Sequence, residues 1–238
     1  MSHLETYWVS IPEGVSSDLL SRFRSFLDPE EQQTYDRYRL DFKKIEFLTG
    51  RVLLKKLLGV RLQLPPEEIR LVRNDYGKLF LKTDQTPALF FNLTHTDRLI
   101  ACVLSSRDGV GIDMERIRKA PFEVMDQVFQ PSEMAWVQSQ PTLARKEQAF
   151  FLLWTRKEAV MKAEGLGFSL PPKTFTVPRN WGETTDHRYQ YFITRMSLPE
   201  SDALCSVVLR TPSSIDSQEM RCSFQQWTME ELYGWVQE

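Results

Sequence analysis

Two hydrophobic periodicities alternate along this chain. Over 41–58, apolar residues recur at Ile45, Leu48, Val52 and Leu53, while Lys43, Lys44, Arg51, Lys55 and Lys56 fall between them. That spacing predicts an amphipathic helix with much of its surface packed internally, ended by Gly59. Over 144–164 the pattern returns with Phe150, Leu153, Trp154, Val160 and Met161, and Gly165-Leu166-Gly167 is the expected stop. Shorter helices are predicted over 18–27 and 29–38, divided by Asp28-Pro29, an aspartate that can cap and a proline suited to a first turn. A further short helix is predicted over 123–129, with Glu133 near the start of another.

Strand signals lie between these helices. They fall at Tyr7-Trp8-Val9, 69–73, Leu79-Phe80, 109–117, 175–177, 189–193 and 204–209, and in two segments of 88–103 interrupted by 92–97. The tail, with Trp227, Leu232 and Trp235, is expected to cover a sheet edge or form a short helix. Mixed elements of this kind predict an α/β (α+β) chain. The polar run Ser105-Ser106-Arg107-Asp108-Gly109 predicts a junction, giving halves 1–107 and 108–238, and no short motif repeats between them.

The chain has 238 residues, 42% hydrophobic and 26% charged, with 15 Phe and 6 Trp to fill a core. A formal net charge of -2 disfavours a broad nucleic-acid footprint. Cys102, Cys205 and Cys222 are too scattered for a metal pair or a disulfide framework, which fits a reducing, cytoplasmic setting. Neither an export signal nor an apolar run of membrane-spanning length is present in the sequence, so no membrane partner is expected.

The candidate chemistry is acidic. In the strand of 109–117, Asp113 and Glu115 are two residues apart and point the same way at roughly 7 Å, while Ile112 and Met114 face a core. Such a pair can share a divalent cation with a substrate phosphate, or can be a solvated strand end. Glu158 and Lys162 share one helix face, suited to an ion pair or a common ligand. Lys78, in the turn Asn74-Asp75-Tyr76-Gly77-Lys78, is either a ligand contact or a solvated turn lysine. His95, within Asn92-Leu93-Thr94-His95-Thr96-Asp97, is the one histidine in a setting that can bind phosphate; His3 and His187 lack one. Three carboxylates and a cation point to phosphoryl or phosphodiester transfer without a nucleophilic serine or cysteine on this chain.

Trp154-Thr-Arg-Lys-Glu-Ala-Val-Met-Lys162 resembles the Trp-x-x-Lys-Glu-x-x-x-Lys motif of Sfp-type 4'-phosphopantetheinyl transferases. Gly111-Ile-Asp-Met-Glu115 matches that family's Gly-x-Asp-x-Glu, and Phe91-Asn-Leu-Thr-His-Thr96 resembles its Phe-Asn-x-Ser-His-Ser, in compatible order. The resemblance extends from the early helices through Phe175. It implies two similar α/β halves packed as an intramolecular pseudodimer, active as a monomer, with coenzyme A and Mg2+ at their interface. The activity implied is transfer of 4'-phosphopantetheine from coenzyme A to a serine hydroxyl of an acyl or peptidyl carrier protein, releasing adenosine 3',5'-bisphosphate.

By the same resemblance, Asp113, Glu115 and Glu158 hold the metal. Glu158 is also the base for the carrier serine, and Lys162 contacts the transferring phosphate. His95 binds the coenzyme A phosphates beside Thr94, which replaces the motif's serine and keeps its hydroxyl, and Lys78 adds charge. Glu133 is assigned to the catalytic group, assisting a metal-bound water or a proton transfer. Where the family often places a basic residue against the coenzyme's 3'-phosphate, this chain has Glu46; Arg51, Lys44 or Arg39 could compensate, with Arg51 preferred. The region 121–138, through Phe122, Met125 and Phe129, is the expected carrier-facing surface. The alternatives are a noncatalytic coenzyme A or carrier-binding module and a Mg2+-dependent phosphohydrolase.

Overall fold

Alternate burial along the strands sorts the apolar residues into separate cores, and these fix the layers of the molecule. The structure, a computed structural model, describes residues 3–82, 88–179, 189–196, 202–210 and 221–237. The first half comprises β1 (His3–Ser10), α1 (Ser17–Ser25), α2 (Pro29–Arg37), α3 (Asp41–Leu62), the hairpin β2 (Leu71–Arg73) and β3 (Leu79–Leu81), and the hairpin β4 (Phe90–Thr96) and β5 (Leu99–Ser105). The second comprises β6 (Val110–Arg116), α4 (Met125–Val128), α5 (Pro131–Gln138), α6 (Leu143–Glu164), β7 (Tyr189–Met196) and β8 (Ala203–Arg210). The chain continues into β9 (Arg221–Trp227) and α7 (Met229–Gln237).

One sheet has the order β4-β5-β1-β9 and another β6-β8-β7, with β2 and β3 pairing separately. In β5, Ile100, Cys102 and Leu104 join Leu48, Val52 and Leu53 of α3 in the first core. Their neighbours Leu99, Ala101 and Val103 turn the other way and meet Ile112, Met114, Cys205 and Val207 of the second sheet. On that sheet's far face, Leu204 and Val208 pack on Phe150, Leu153 and Val160 of α6. The layers therefore run helix, sheet, sheet, helix, consistent with two halves packed against each other. The strands β4 and β6 are edges of their respective sheets, and they meet where the Ile112 amide donates to Asn92 Oδ1 at 3.0 Å.

Local chemistry explains the helix boundaries. Asp28 caps α2 in a reciprocal box with Glu31, and Pro29 takes the first turn. The helix α3 passes Gly59 and stops at Gln63, which is left-handed (φ 55°). Gly59 is there for space, since a Cβ would stand 2.7 Å from the Leu64 carbonyl oxygen. At the end of α6, Gly165 adopts φ 70° as expected of a left-handed stop.

Three local expectations are corrected. Residues 92–96 do not interrupt strands; they are β4 itself, and the turn is Asp97-Arg98, both at positive φ. The segment 175–177 follows a short 3-10 turn and is not a strand, because it wraps against α6 and Lys157 takes the Phe175 carbonyl. Met125 and Phe129 are buried in the second core and Phe122 packs edge-on against Phe150, so these side chains serve the protein's own interior and not an exposed carrier groove. The tail forms both a strand and a helix: β9 runs parallel to β1, and Met229 and Leu232 enter the first core. Residues 221–237 thus pack with the first half, although they follow the second in sequence. Cys102, Cys205 and Cys222 are free. His187 lies outside the described residues.

Candidate active site

Two edge strands and one helix supply the central cluster. On β6, Ile112 and Met114 fill the layer between the sheets, which turns Asp113 and Glu115 to the opposite face, toward α6. Helix and strand approach closely because residue 111 is glycine; a Cβ there would lie 2.0 Å from the Ala159 carbonyl oxygen. On β4, the alternation Asn92, Thr94, Thr96 matches that of the acids. The Thr94 hydroxyl donates to Asp113 Oδ1 at 3.1 Å, and the Thr96 hydroxyl donates to Glu115 Oε2 at 3.1 Å. From α6, Lys162 Nζ donates to the same Asp113 oxygen at 2.7 Å and to Thr94 Oγ1 at 3.1 Å. Lys162 therefore pairs with Asp113, where the sequence suggested Glu158.

The electrostatics of this cluster favour an added cation. Asp113 Oδ2 is buried without a hydrogen-bond partner. Burial, then the neighbouring Asp113, pushes the Glu158 carboxyl up to about 7. Glu115 is raised for the same two reasons, against the pull of Arg118 and Thr96. Burial opposes the Lys162 charge, but Asp113 and Glu158 outweigh it and hold that ammonium above its ordinary value. Among the described residues, no group of three or more His, Cys, Asp or Glu side chains forms a ready-made metal cage.

A cavity of about 560 Å3 opens beside this cluster. Glu158, Met161 and Lys162 form one wall and His95 another, while Arg51, Arg73 and Lys78 bring further positive charge. The Lys78 ammonium donates to the Ala163 and Val110 carbonyls at 3.0 and 3.3 Å. Its burial lowers its pKa to about 8. The turn carrying it is built by Asn74, whose side-chain oxygen accepts from the Tyr76 and Lys78 amides and whose nitrogen donates to the Gly165 carbonyl. That last bond joins the first half to the end of α6. His95 keeps 52% of its side-chain surface open, with Nδ1 3.6 Å from Glu46 Oε2, and burial lowers its pKa.

Arg51 reaches the cavity with its Nε 3.1 Å from Glu31 Oε1 and its guanidinium over the Phe47 ring. Burial, then the nearby charge of Arg73, lowers the Arg51 pKa against the effect of Glu31. Arg73 was missed in the sequence because it reads as one more strand residue; only the folded hairpin carries it into the cavity. Thr96 could have been found from its period-two match with Thr94. Lys44 stacks over Tyr35 instead of lining the cavity.

Glu133 stands apart from this cavity. It is fully buried at the start of α5, where one oxygen accepts the Gln130 amide and pairs with Lys157 Nζ at 2.8 Å, while the other accepts the Val177 amide. Lys157 also donates to the Pro172 and Phe175 carbonyls. The side chain of Lys157 thus turns into the second core while its neighbour Glu158 lines the cavity. Glu133 stays with Lys157 and ties α5 to α6 and the following loop, apart from the residues that line the cavity.

Comparison with known proteins agrees with this architecture. The sequence profile of the 4'-phosphopantetheinyl transferase superfamily matches residues 109–204, and the profile described as 4'-phosphopantetheinyl transferase, N-terminal, matches residues 15–107. The chain is 31% identical over 185 residues to the 4'-phosphopantetheinyl transferase gsp of Aneurinibacillus migulanus, covering 78% of this chain and 76% of that one. It is 28% identical over 176 residues to the 4'-phosphopantetheinyl transferase Sfp of Bacillus subtilis (strain 168), covering 73% and 76% of the two chains. The 4'-phosphopantetheinyl transferase HetI of a Nostoc species is 30% identical over 158 residues, covering 65% of this chain and 61% of the relative. With both halves matched in order around a shared cavity, this chain belongs to the 4'-phosphopantetheinyl transferase superfamily.

Proposed function

We propose that the protein transfers the 4'-phosphopantetheine group of coenzyme A to a serine hydroxyl of an acyl or peptidyl carrier protein, with Asp113, Glu115 and Glu158 binding Mg2+. The observation that carries this reading is the Asp113 cluster at the cavity wall. One carboxylate oxygen is fixed by Thr94 and Lys162, the other is buried without a partner, and Glu158 stands at about 7. An orphaned carboxylate oxygen beside two destabilised carboxylates suits a hard divalent ion. Mg2+ usually takes one or two carboxylates plus water and substrate phosphate, so a complete protein cage is not required. When bound, Mg2+ would offset the charge of the diphosphate and of the crowded acids.

The chain's own groups account for the remaining chemistry. Glu158, on the cavity wall, takes the proton of the incoming serine as its oxygen attacks the pantetheine-side phosphorus. The bond to the adenosine-side phosphate breaks, and adenosine 3',5'-bisphosphate leaves with the electron pair. Lys162 supplies positive charge to the transferring phosphate, and His95 with Lys78 binds the diphosphate. Arg51 and Arg73 hold the remaining phosphate of the donor. No serine nucleophile is needed on this chain, because the accepting hydroxyl belongs to the carrier.

Intact-mass analysis of a purified apo carrier incubated with this protein, coenzyme A and Mg2+ tests the reading, with enzyme and metal omitted in turn. A covalent gain of about 340 Da, the mass expected for metal-assisted transfer to serine, supports it. Coenzyme A binding without any gain across acyl and peptidyl carriers would replace it with a noncatalytic module. A gain that survives metal removal would sink the Mg2+ assignment alone.

A further inference from the structure

Glu46 is the anomaly of the cavity: a carboxylate buried to 2% exposure in a wall otherwise rich in cations. Both of its oxygens are engaged. Oε1 accepts the Arg98 amide at 3.0 Å, and Oε2 accepts from Lys43 Nζ at 2.7 Å and lies 3.6 Å from His95 Nδ1. Arg98 is the second residue of the two-residue turn between β4 and β5. Asp97 and Arg98 have φ of 35° and 65°, in a turn class that favours asparagine, aspartate or glycine first and glycine second. With arginine where glycine is preferred, this turn gains from outside support, and it receives it here. The Ile11 amide donates to the Arg98 carbonyl at 2.8 Å, Arg116 donates to the Asp97 carbonyl, and Glu46 takes the Arg98 amide.

The supported turn belongs to the hairpin whose β4 strand carries Thr94, His95 and Thr96. Two of these hold Asp113 and Glu115, and the third faces the cavity. The single carboxylate of Glu46 also stands between the Lys43 ammonium and the His95 ring. A carboxylate beside one imidazole nitrogen favours the proton on that nitrogen, which leaves the other nitrogen directed elsewhere.

We propose that Glu46 is a positioning residue for the donor: it anchors the β4–β5 turn to α3 and orients His95 for the donor's phosphates. This rests on the transferase reading, in which His95 contacts those phosphates. On it, the acid at this position is no defect in a cationic site. It acts on the phosphates through His95 and never touches them.

A double-mutant cycle tests the proposal. Glu46→Gln keeps an oxygen for the Arg98 amide and removes the charge beside His95 and Lys43. Coenzyme A affinity is read by calorimetry, and KM and kcat by carrier modification. The expected result is an about fivefold weaker coenzyme A affinity and a matching rise in KM with kcat within about twofold, the scale of one ordinary polar contact. In a His95→Gln background the same substitution should change affinity less than about twofold, since the route through His95 is already gone. An unchanged affinity in folded Glu46→Gln would overturn the proposal, and so would an equal loss in both backgrounds, which marks a role independent of His95. Should Glu46→Gln fail to fold, Glu46→Asp, which keeps the charge but draws the carboxylate back from His95 and the Arg98 amide, enters the same cycle with the same expectation. Wild-type binding of coenzyme A without transfer would overturn the transferase reading while the binding cycle still decides the role of Glu46.

Discussion

Asp113 is the residue on which most of the central contacts converge, and replacing it separates charge from shape. Asp113→Asn keeps the volume of the side chain but removes the charge that holds Lys162 and lifts Glu158. Transfer should fall by about a hundredfold or more, on the scale seen when preorganised charge at a reacting centre is lost, with the melting temperature little changed. A progress curve of carrier modification checks this, and near-normal transfer by the folded variant would remove Asp113 from the site. Lys78 gives a prediction in pH. The folded protein releases its proton near 8 against 10.5 for the free side chain. Between those values the unfolded chain binds more protons, so stability without ligand rises with pH across that window. Coenzyme A affinity runs the opposite way, falling as pH rises through about 8 because the positive charge is lost. Lys78→Met should flatten both trends, and calorimetry with thermal unfolding at pH 7 and 9.5 reads them. The acids and Lys162 were legible in the sequence because period two and i,i+4 spacing define faces. The role of Glu46 was not, because it depends on a turn 52 residues away that no local pattern reveals.

At the scale of elements, the contact of α6 with β6 brings the helical Glu158 and Lys162 to the strand carboxylates. Gly111 sets that distance. Gly111→Ala places a methyl group 2.0 Å from a backbone oxygen, where no side-chain rotation can relieve it. Moving the helix to admit the methyl group should destabilise the protein by about 3 kcal/mol. It should also depress transfer in the fraction that stays folded, which combined melting and activity measurements can separate. The Glu133–Lys157 pair predicts a different outcome. Glu133→Ala leaves a buried ammonium without its counter-ion and two amides without an acceptor, a loss of about 3–5 kcal/mol. Because Glu133 does not line the cavity, kcat per folded molecule should hold; a kcat loss in a fully folded Glu133→Gln variant would place it in the catalytic group. The sequence showed an acid near a helix start and could not separate a capping, core-bound carboxylate from a reactive one. That distinction lies in Lys157, whose side chain leaves α6 on a different side from Glu158. The helices before residue 165 were readable from their spacing, whereas the helix in the tail and the end of α3 were not. Its glycine serves close packing, and the stop falls to Gln63.

At the scale of the molecule, the two halves are interleaved. The sequence suggested a division near residue 107, and the composition of the junction supports a boundary there. It could not show that residues 221–237 return to the first sheet, because a parallel pairing between the two ends of the chain leaves no local signature. That return has a consequence for stability. The strand β1 lies between β5 and β9, and Met229 and Leu232 of α7 close the first core over α3 and β1. Truncation after residue 220 would turn β1 into an edge with unpaired backbone groups and would open that core to water, the combination that favours association through strand edges. The truncated chain should melt earlier and elute as aggregate in size-exclusion chromatography, even though the proposed catalytic residues all precede the cut. Coenzyme A affinity should fall with it, because α3 and the β4–β5 hairpin frame the cavity and are braced by the same core. A monodisperse truncated protein with unchanged melting and affinity would show that β9 and α7 are accessory. The expected loss would instead mean that the second half cannot be separated from the first by a single cut at residue 107, since the last segment of the chain completes the half that begins it.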